Sequence, residues 1–273
     1  MNGMAINKDT RVCISLSGRP SNIGTRFHNY LYAELGLNYL YKAFTTSNLS
    51  AAVTGIRGLG IRGAGVSMPF KEQVINLVDV MHDSAAAIDS VNTVVNEDGV
   101  LHAYNTDYEA VATLLRDNRI PTSLSVAVAG SGGMAKAVVA ALRNHGLDDV
   151  VVVSRNADTG AALAERYGFS WRSELGDDTR GLLVNATPVG MTGSAESEQM
   201  PFTASAVSAA ESVFDVVAMP ANTPLIRRAH GEGKTVITGA EVIALQAAEQ
   251  FTLYTGVRPS ADQIRRASEF SQP

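Results

Sequence analysis

The chain has 273 residues, enough to bury two cores and form two domains. Hydrophobic residues make up 45% and charged residues 18%, which excludes a disordered chain and describes a lightly charged globular one. The formal net charge of −5, with Lys and Arg scattered and no basic stripe, argues against a nucleic-acid partner.

Residues 1–11 lack the apolar core of a signal peptide, and no apolar run approaches the roughly 20 residues that span a bilayer. A strand is expected over 12–16. It carries the single cysteine, Cys13, which rules out an internal disulfide, fits a reducing, cytoplasmic setting and is expected to be buried. A glycine-bearing loop over 17–25 leads to a helix near 26–35 that ends at Gly36. An extended run over 39–44, a helix near 49–59, a strand over 63–68, Pro69 and a helix near 71–78 follow. This βαβα alternation implies a mostly parallel sheet with helical crossovers. Residues 91–95 and 100–104 flank Asn96-Glu97-Asp98-Gly99, a hairpin signal. Read as a four-residue loop, it sets Val95 opposite Val100 and Asn92 opposite Ala103. Asn92 and Asn105-Thr106-Asp107 then share the open end of the hairpin.

Asp107 precedes a helix expected over 108–116, where an aspartate caps free N–H groups. An apolar run over 124–129 then enters Gly130-Ser131-Gly132-Gly133-Met134, and a helix over 134–142 leaves it. Strand, glycine turn and helix start together place a pyrophosphate on backbone N–H groups. Gly130 permits the turn, Gly132 lets the backbone approach phosphate, and Gly133 lets the helix pack close to the strand. His145-Gly146 reads as a helix C-terminus. A strand over 150–153 ends in Ser154-Arg155. An acidic residue there would hold the ribose 2′-hydroxyl of NAD; Arg155 suits a 2′-phosphate, so the site is read as preferring NADP. Runs over 182–187, 212–217 and 235–237 supply further strands of a doubly wound sheet, and a helical run from Gly239 through Tyr254 is expected to return to the first domain. The fold class is therefore two-domain α/β. Residues 1–106 plus 240–273 form a substrate-binding catalytic domain and 107–239 a Rossmann-type nucleotide-binding domain. The five histidines show no paired spacing and no cysteine partners them, so no metal is expected.

Ser67-Met68-Pro69-Phe70-Lys71-Glu72 ends a strand at a hydroxyl, turns at proline and opens a helix with a lysine, against the helix dipole. Each residue also has a plain structural use: Lys71 reaches solvent, Asp107 caps, Asn92 satisfies a backbone group and Ser67 completes a turn. What raises them is a joint pattern. Alongside that segment stand Ser90-Val91-Asn92-Thr93, Asn105-Thr106-Asp107, Gly130-Ser131-Gly132-Gly133, Ser154-Arg155-Asn156 and Asn185-Ala186-Thr187-Pro188-Val189-Gly190-Met191. With Gly239 and Gln246 they run in order over nearly the whole chain, and in this the chain resembles the shikimate dehydrogenase family.

The resemblance implies NADP-linked, reversible oxidation of a ring hydroxyl in a shikimate-like cyclohexene carboxylate, within the chorismate pathway of aromatic amino acid biosynthesis. It implies Lys71 and Asp107 as the catalytic pair, and Ser67, Asn92 and Gln246 as hydrogen-bond partners of the substrate. For NADP it implies Gly130, Ser131, Gly132, Gly133, Met134, Ser154, Arg155, Asn156, Thr187, Pro188, Val217 and Gly239. A monomer or homodimer with a small-molecule substrate is expected, with no nucleic-acid or membrane partner. Departures from the family pattern are specific. Counting back from His28, Asn22 and Gly24 stand where the family carries two carboxylate-binding serines, so Ser21 and Thr25 are taken as substitutes. Gly65 replaces an asparagine, Ala218 a tyrosine, Tyr108 a glycine, and Thr159 the second arginine of the phosphate clamp. A divergent branch with shikimate as a poor substrate is expected. Quinate or aminoshikimate dehydrogenase, or a non-catalytic ligand sensor, are the alternatives.

Overall fold

The computed structural model describes residues 6–271. The reading of residues 1–11 and the termini of the expected first domain lie in part outside the described residues. The chain divides into two compact units, one reaching to Thr106 and resuming at Ala244, the other spanning Asp107–Ile243. Residues 240–243 thus go with the second unit rather than the first.

The first unit opens with β1 (Arg11–Leu16), α1 (Ile23–Glu34), β2 (Tyr39–Phe44), α2 (Leu49–Gly58) and β3 (Gly63–Val66). It continues with α3 (Phe70–Gln73), β4 (Val80–Met81), α4 (Asp83–Ala86), β5 (Thr93–Glu97) and β6 (Val100–Tyr104). The six strands form one sheet in the order β2-β1-β3-β5-β6-β4. β5 alone runs antiparallel to both its neighbours. The hairpin differs from expectation. Glu97 pairs with Val100 and Val94 with Ala103, because the turn is only Asp98-Gly99, both at positive φ (+51° and +91°). That is the two-residue turn whose twist matches a hairpin, and it slides the register by two residues without exchanging faces. α1 starts three residues early, which moves Thr25 from a loop onto a helix. The expected helix near 71–78 is instead α3 followed by a 3₁₀ turn at Val74–Leu77, and β4 then adds an edge strand.

The second unit takes α5 (Thr106–Asp117) from Asp107 onward, then β7 (Val126–Ala129), α6 (Gly133–His145), β8 (Val150–Val153), α7 (Ala157–Arg166) and β9 (Ser170–Arg172). β10 (Leu182–Asn185), α8 (Ala204–Ala209), β11 (Ser212–Asp215), α9 (Pro224–Gly231) and β12 (Thr235–Thr238) complete it. Its sheet, β12-β11-β10-β7-β8-β9, is wholly parallel. β7, β10 and β11 are buried at every position, as parallel strands covered on both faces must be. Strand order reverses beside β7, and at such a switch point the loops splay apart to leave a crevice. α6 ends as read from the sequence, with Gly146 at φ +97° closing its last turn.

α10 (Gly239–Thr255) and α11 (Ala261–Ser271) end the chain. Phe251, Tyr254 and Ala267 join Cys13, Phe27, Leu31, Tyr32 and Tyr41 in one core of the first unit. Ile14, Leu16, Val53, Ile56, Val66 and Leu101 form the core on the other face. Alternation along β1 sends Cys13 to one side and Ile14 to the other. The sheet also brings two histidines together, His82 Nε2 lying 3.1 Å from His102 Nδ1. Among the described residues no helix is long and apolar enough to cross a membrane.

Candidate active site

In the first unit, two backbone bonds hold the Ser67–Lys71 segment against the start of the hairpin. Val66 N donates to Asn92 O at 2.7 Å, and Val91 N donates to Lys71 O at 2.9 Å. Ser67 follows β3 and is exposed; Lys71, half-buried, lies in the short helix α3 after the turn at Met68-Pro69. Asn92 is 3% exposed, and its Oδ1 accepts from Thr106 N at 2.8 Å and Thr93 Oγ1 at 2.8 Å. The Thr106 hydroxyl, with one proton, reaches Asn92 Oδ1 at 3.2 Å and Gln246 Oε1 at 3.3 Å. Gln250 Nε2 donates to Thr93 Oγ1 at 2.9 Å and to Asn92 O at 3.2 Å. With both carbonyl oxygens turned to Thr106, the amide nitrogens of Asn92 and Gln246 are left as the groups that can donate outward. The sequence reading missed Thr93, Thr106 and Gln250 as positioning groups. The first two sat inside quoted motifs; for Gln250, four residues beyond Gln246, the helical period was the available signal.

The altered end of the unit is built around Tyr41. Asn29 clamps α1 to β2, accepting from Tyr41 N at 2.9 Å and donating to Tyr41 O at 2.8 Å. The Tyr41 hydroxyl then lies 2.8 Å from where a Cβ on Gly65 would stand and 3.8 Å from one on Gly24. A side chain at 65 would collide with it, so glycine there and tyrosine at 41 belong together. Thr25 Oγ1 is buried and has no hydrogen-bond partner, whereas Ser21 is exposed in the loop before α1. Of the two substitutes expected for the carboxylate serines, only Thr25 holds a desolvated hydroxyl.

Asp107 occupies the first turn of α5, inside the helix rather than ahead of it as a cap. In the second unit a cavity of about 640 Å³ is lined by the Gly130–Gly132 turn, by Ser154, Arg155 and Asn156, and by Thr187 and Pro188. This is the size of a small-molecule site. Gly130 sits at φ +113°, and a Cβ there would come within 2.8 Å of Ala186 O. Gly132 caps α6 without a side-chain hydrogen bond and faces open space. Gly132 thus brings no side chain to cap the first N–H groups of α6, and the open space before them fits a pyrophosphate. Gly133 does not pack tightly, since a Cβ on it meets nothing within 4 Å; the tight glycine is Gly160, where a Cβ would strike Ser154 Oγ and Trp171. Gly133, Met134, Val217 and Gly239 do not line this cavity. Gly239 packs instead on the backbone at Val216–Val217, where a Cβ would come within 2.4 Å of Val216 O.

Buried polar bonds shape the rim. Thr187 N and Oγ1 donate to Asn185 Oδ1 at 3.0 and 2.6 Å, and Asn185 Nδ2 donates to Asp215 at 3.0 Å. Burial holds the Asp215 carboxyl above the usual carboxylate range, against hydrogen bonds from Thr223, Val217 and Asn185. Arg155 Nη1 lies 3.7 Å from Glu196 Oε1, and Ser131 Oγ lies 2.8 Å from Thr159 Oγ1. Glu174 and Glu196 both line the cavity. Neither was singled out from sequence, because each arrives on a loop with no motif.

The chain matches the family model of the shikimate dehydrogenase substrate binding domain over residues 22–94. It matches that of the coenzyme F420-dependent NADP oxidoreductase over 125–240. A shikimate dehydrogenase-like protein of Haemophilus influenzae is 52% identical over 98% of both chains. A shikimate dehydrogenase (NADP(+)) of Methanopyrus kandleri is 34% identical over 97% of both. Among solved structures, a shikimate 5-dehydrogenase-like protein superposes with a TM-score of 0.97 at 52% identity, covering 98% of this chain and 99% of its own. Shikimate 5-dehydrogenase of Thermus thermophilus, in complex with NADP(H) and shikimate, does so with a TM-score of 0.84 at 30% identity, covering 96% and 100%.

Proposed function

The chain belongs to the shikimate dehydrogenase family, and on that premise we propose that it oxidises a ring hydroxyl of a shikimate-like cyclohexene carboxylate, reversibly, with NADP. The observation that carries the reading is the Thr106-centred network, which leaves two amide donors, Asn92 Nδ2 and Gln246 Nε2, in the same unit as Lys71. Such donors suit a polyhydroxylated substrate, since a site built to bond hydroxyls discriminates strongly against analogues lacking them. NADP, when bound along the Gly130–Gly132 turn with Arg155 at its 2′-phosphate, supplies the hydride acceptor. The chain's own groups manage the proton. As hydride leaves the ring carbon and the carbonyl forms, the hydroxyl proton passes to one member of the proposed catalytic pair, Lys71 or Asp107. Ser67 and Thr25 complete the set of hydroxyl partners. Gly24, Gly65 and the intervening Tyr41 hydroxyl support a rebuilt carboxylate end and hence poor turnover of shikimate itself. The reading includes a cytoplasmic enzyme, monomeric or homodimeric.

The test is NADP+ reduction against shikimate, quinate and their 3-amino analogues. The expected result is turnover of at least one, with kcat lowered by about 10²- to 10⁴-fold in both Lys71→Ala and Asp107→Ala. Ordinary efficiency on sub-millimolar shikimate would overturn the substrate reading. No turnover, with NADPH binding intact, would overturn the shikimate-like substrate and leave an unrelated substrate or a ligand sensor.

A further inference from the structure

We infer that Glu196 sets the cofactor selectivity of this chain, narrowing its preference for NADP over NAD; the inference rests on the cofactor reading above. The cavity that takes the dinucleotide carries two carboxylates, Glu174 and Glu196, beside its one arginine at the end of β8. Glu196 Oε1 lies 3.7 Å from Arg155 Nη1, and the Arg155 side chain is otherwise 89% exposed. The cation available to a 2′-phosphate is thus already shared with an anion.

Glu196 is delivered by a fixed backbone. Its carbonyl accepts from Gly190 N at 3.0 Å and from Gln199 N at 3.1 Å, while Gly190 itself sits at φ +87° against Thr223 and Pro224. Among the described residues that line the cavity, Arg155 is the cation. Thr159 is uncharged and its hydroxyl pairs with Ser131, and Asn156 Oδ1 is spent capping α7 through Thr159 N at 3.1 Å. A phosphate monoester carries between one and two negative charges near neutral pH, so a carboxylate beside Arg155 both competes for the guanidinium and repels the ligand. For NAD the same carboxylate is an asset, because it accepts hydrogen bonds from ribose hydroxyls as an acidic residue at the end of the strand corresponding to β8 does in NAD sites. Glu196, arriving from a loop far along the chain, therefore restores an acidic partner that Arg155 had displaced at the strand end.

The experiment is calorimetric binding of 2′,5′-ADP and 5′-AMP, and of NADPH and NADH, to the full chain and to Glu196→Gln, Arg155→Gln and the double variant. Glu196→Gln should tighten 2′,5′-ADP and NADPH by about three- to tenfold while weakening 5′-AMP by no more than about twofold, because the glutamine oxygen still accepts from a ribose hydroxyl and only the charge is lost. In the Arg155→Gln background the gain should shrink, since part of it passes through the guanidinium. A purely structural effect would move both nucleotides together. Equal changes for the two, or none, would overturn the inference while leaving the cofactor reading intact. Failure of the unsubstituted chain to bind any of the four would overturn the cofactor reading, and this inference with it.

Discussion

Asn92 illustrates how much of the site is decided by single hydrogen atoms. Its amide is turned by three donors on two neighbouring threonines, and Thr106 turns Gln246 with the same hydroxyl. Thr106→Val removes that hydroxyl and leaves Gln246 Oε1 without its donor. The expected result is a rise in KM of about three- to thirtyfold with stability lowered by about 1–2 kcal/mol, and recovery in Thr106→Ser; steady-state kinetics beside urea unfolding would check it. His28 is a second case. It is 1% exposed, stacked on Tyr41 with ring centroids 4.3 Å apart, and neither ring nitrogen has a hydrogen-bond partner of good geometry. Burial lowers its value from 6.5 to about 3. The unfolded chain therefore takes up a proton first as pH falls. Stability from this group is fully present above about pH 6.5 and is lost toward pH 3, at roughly 1 kcal/mol per pH unit. Urea midpoints measured from pH 7.5 to 5 should fall more steeply for the natural chain than for His28→Phe.

Among the elements, the hairpin and the α6 entry show two different demands on glycine. Gly99 is in open space at φ +91°, so a methyl group there meets no neighbour and feels only the backbone. Gly99→Ala should destabilise by about 1 kcal/mol with substrate and nucleotide binding unchanged, read by thermal unfolding. Gly130 combines φ +113° with a collision against Ala186 O. Gly130→Ala should raise the Kd for NADPH at least about tenfold, because the turn must move before the α6 terminus can face phosphate; titration of NADPH fluorescence would show it. The element types were legible because β7, β8, β10 and β11 are short apolar runs between turn signals, and α6 is bounded by glycines. The hairpin register was not, since Asn96-Glu97-Asp98-Gly99 has the composition of a four-residue loop, and only pairing shows that Asn96 and Glu97 remain in the strand.

The whole molecule consists of two units, each with its own sheet, and the first is completed by helices from the far end of the chain. Cys13 reports on that first core: it is 0% exposed, and burial pushes its thiol up to about 12. Native protein should react negligibly with a thiol reagent at pH 8, and one equivalent should react in denaturant; labelling without denaturant would mean that the core opens. Sequence alone determined the two-domain α/β class, the glycine turn with Arg155, and the ordered motifs containing Lys71, Asn92, Asp107 and Gln246. These are local patterns of period, turn chemistry and spacing, and each is written in neighbouring residues. Tertiary structure alone decided which way the Asn92 and Gln246 amides face, that Tyr41 fills the space over Gly65, and that Glu196 stands beside Arg155. Each of these joins residues separated by 14 to 140 positions. Such contacts depend on which strands lie adjacent and how loops return, and the chain's local preferences carry no record of that.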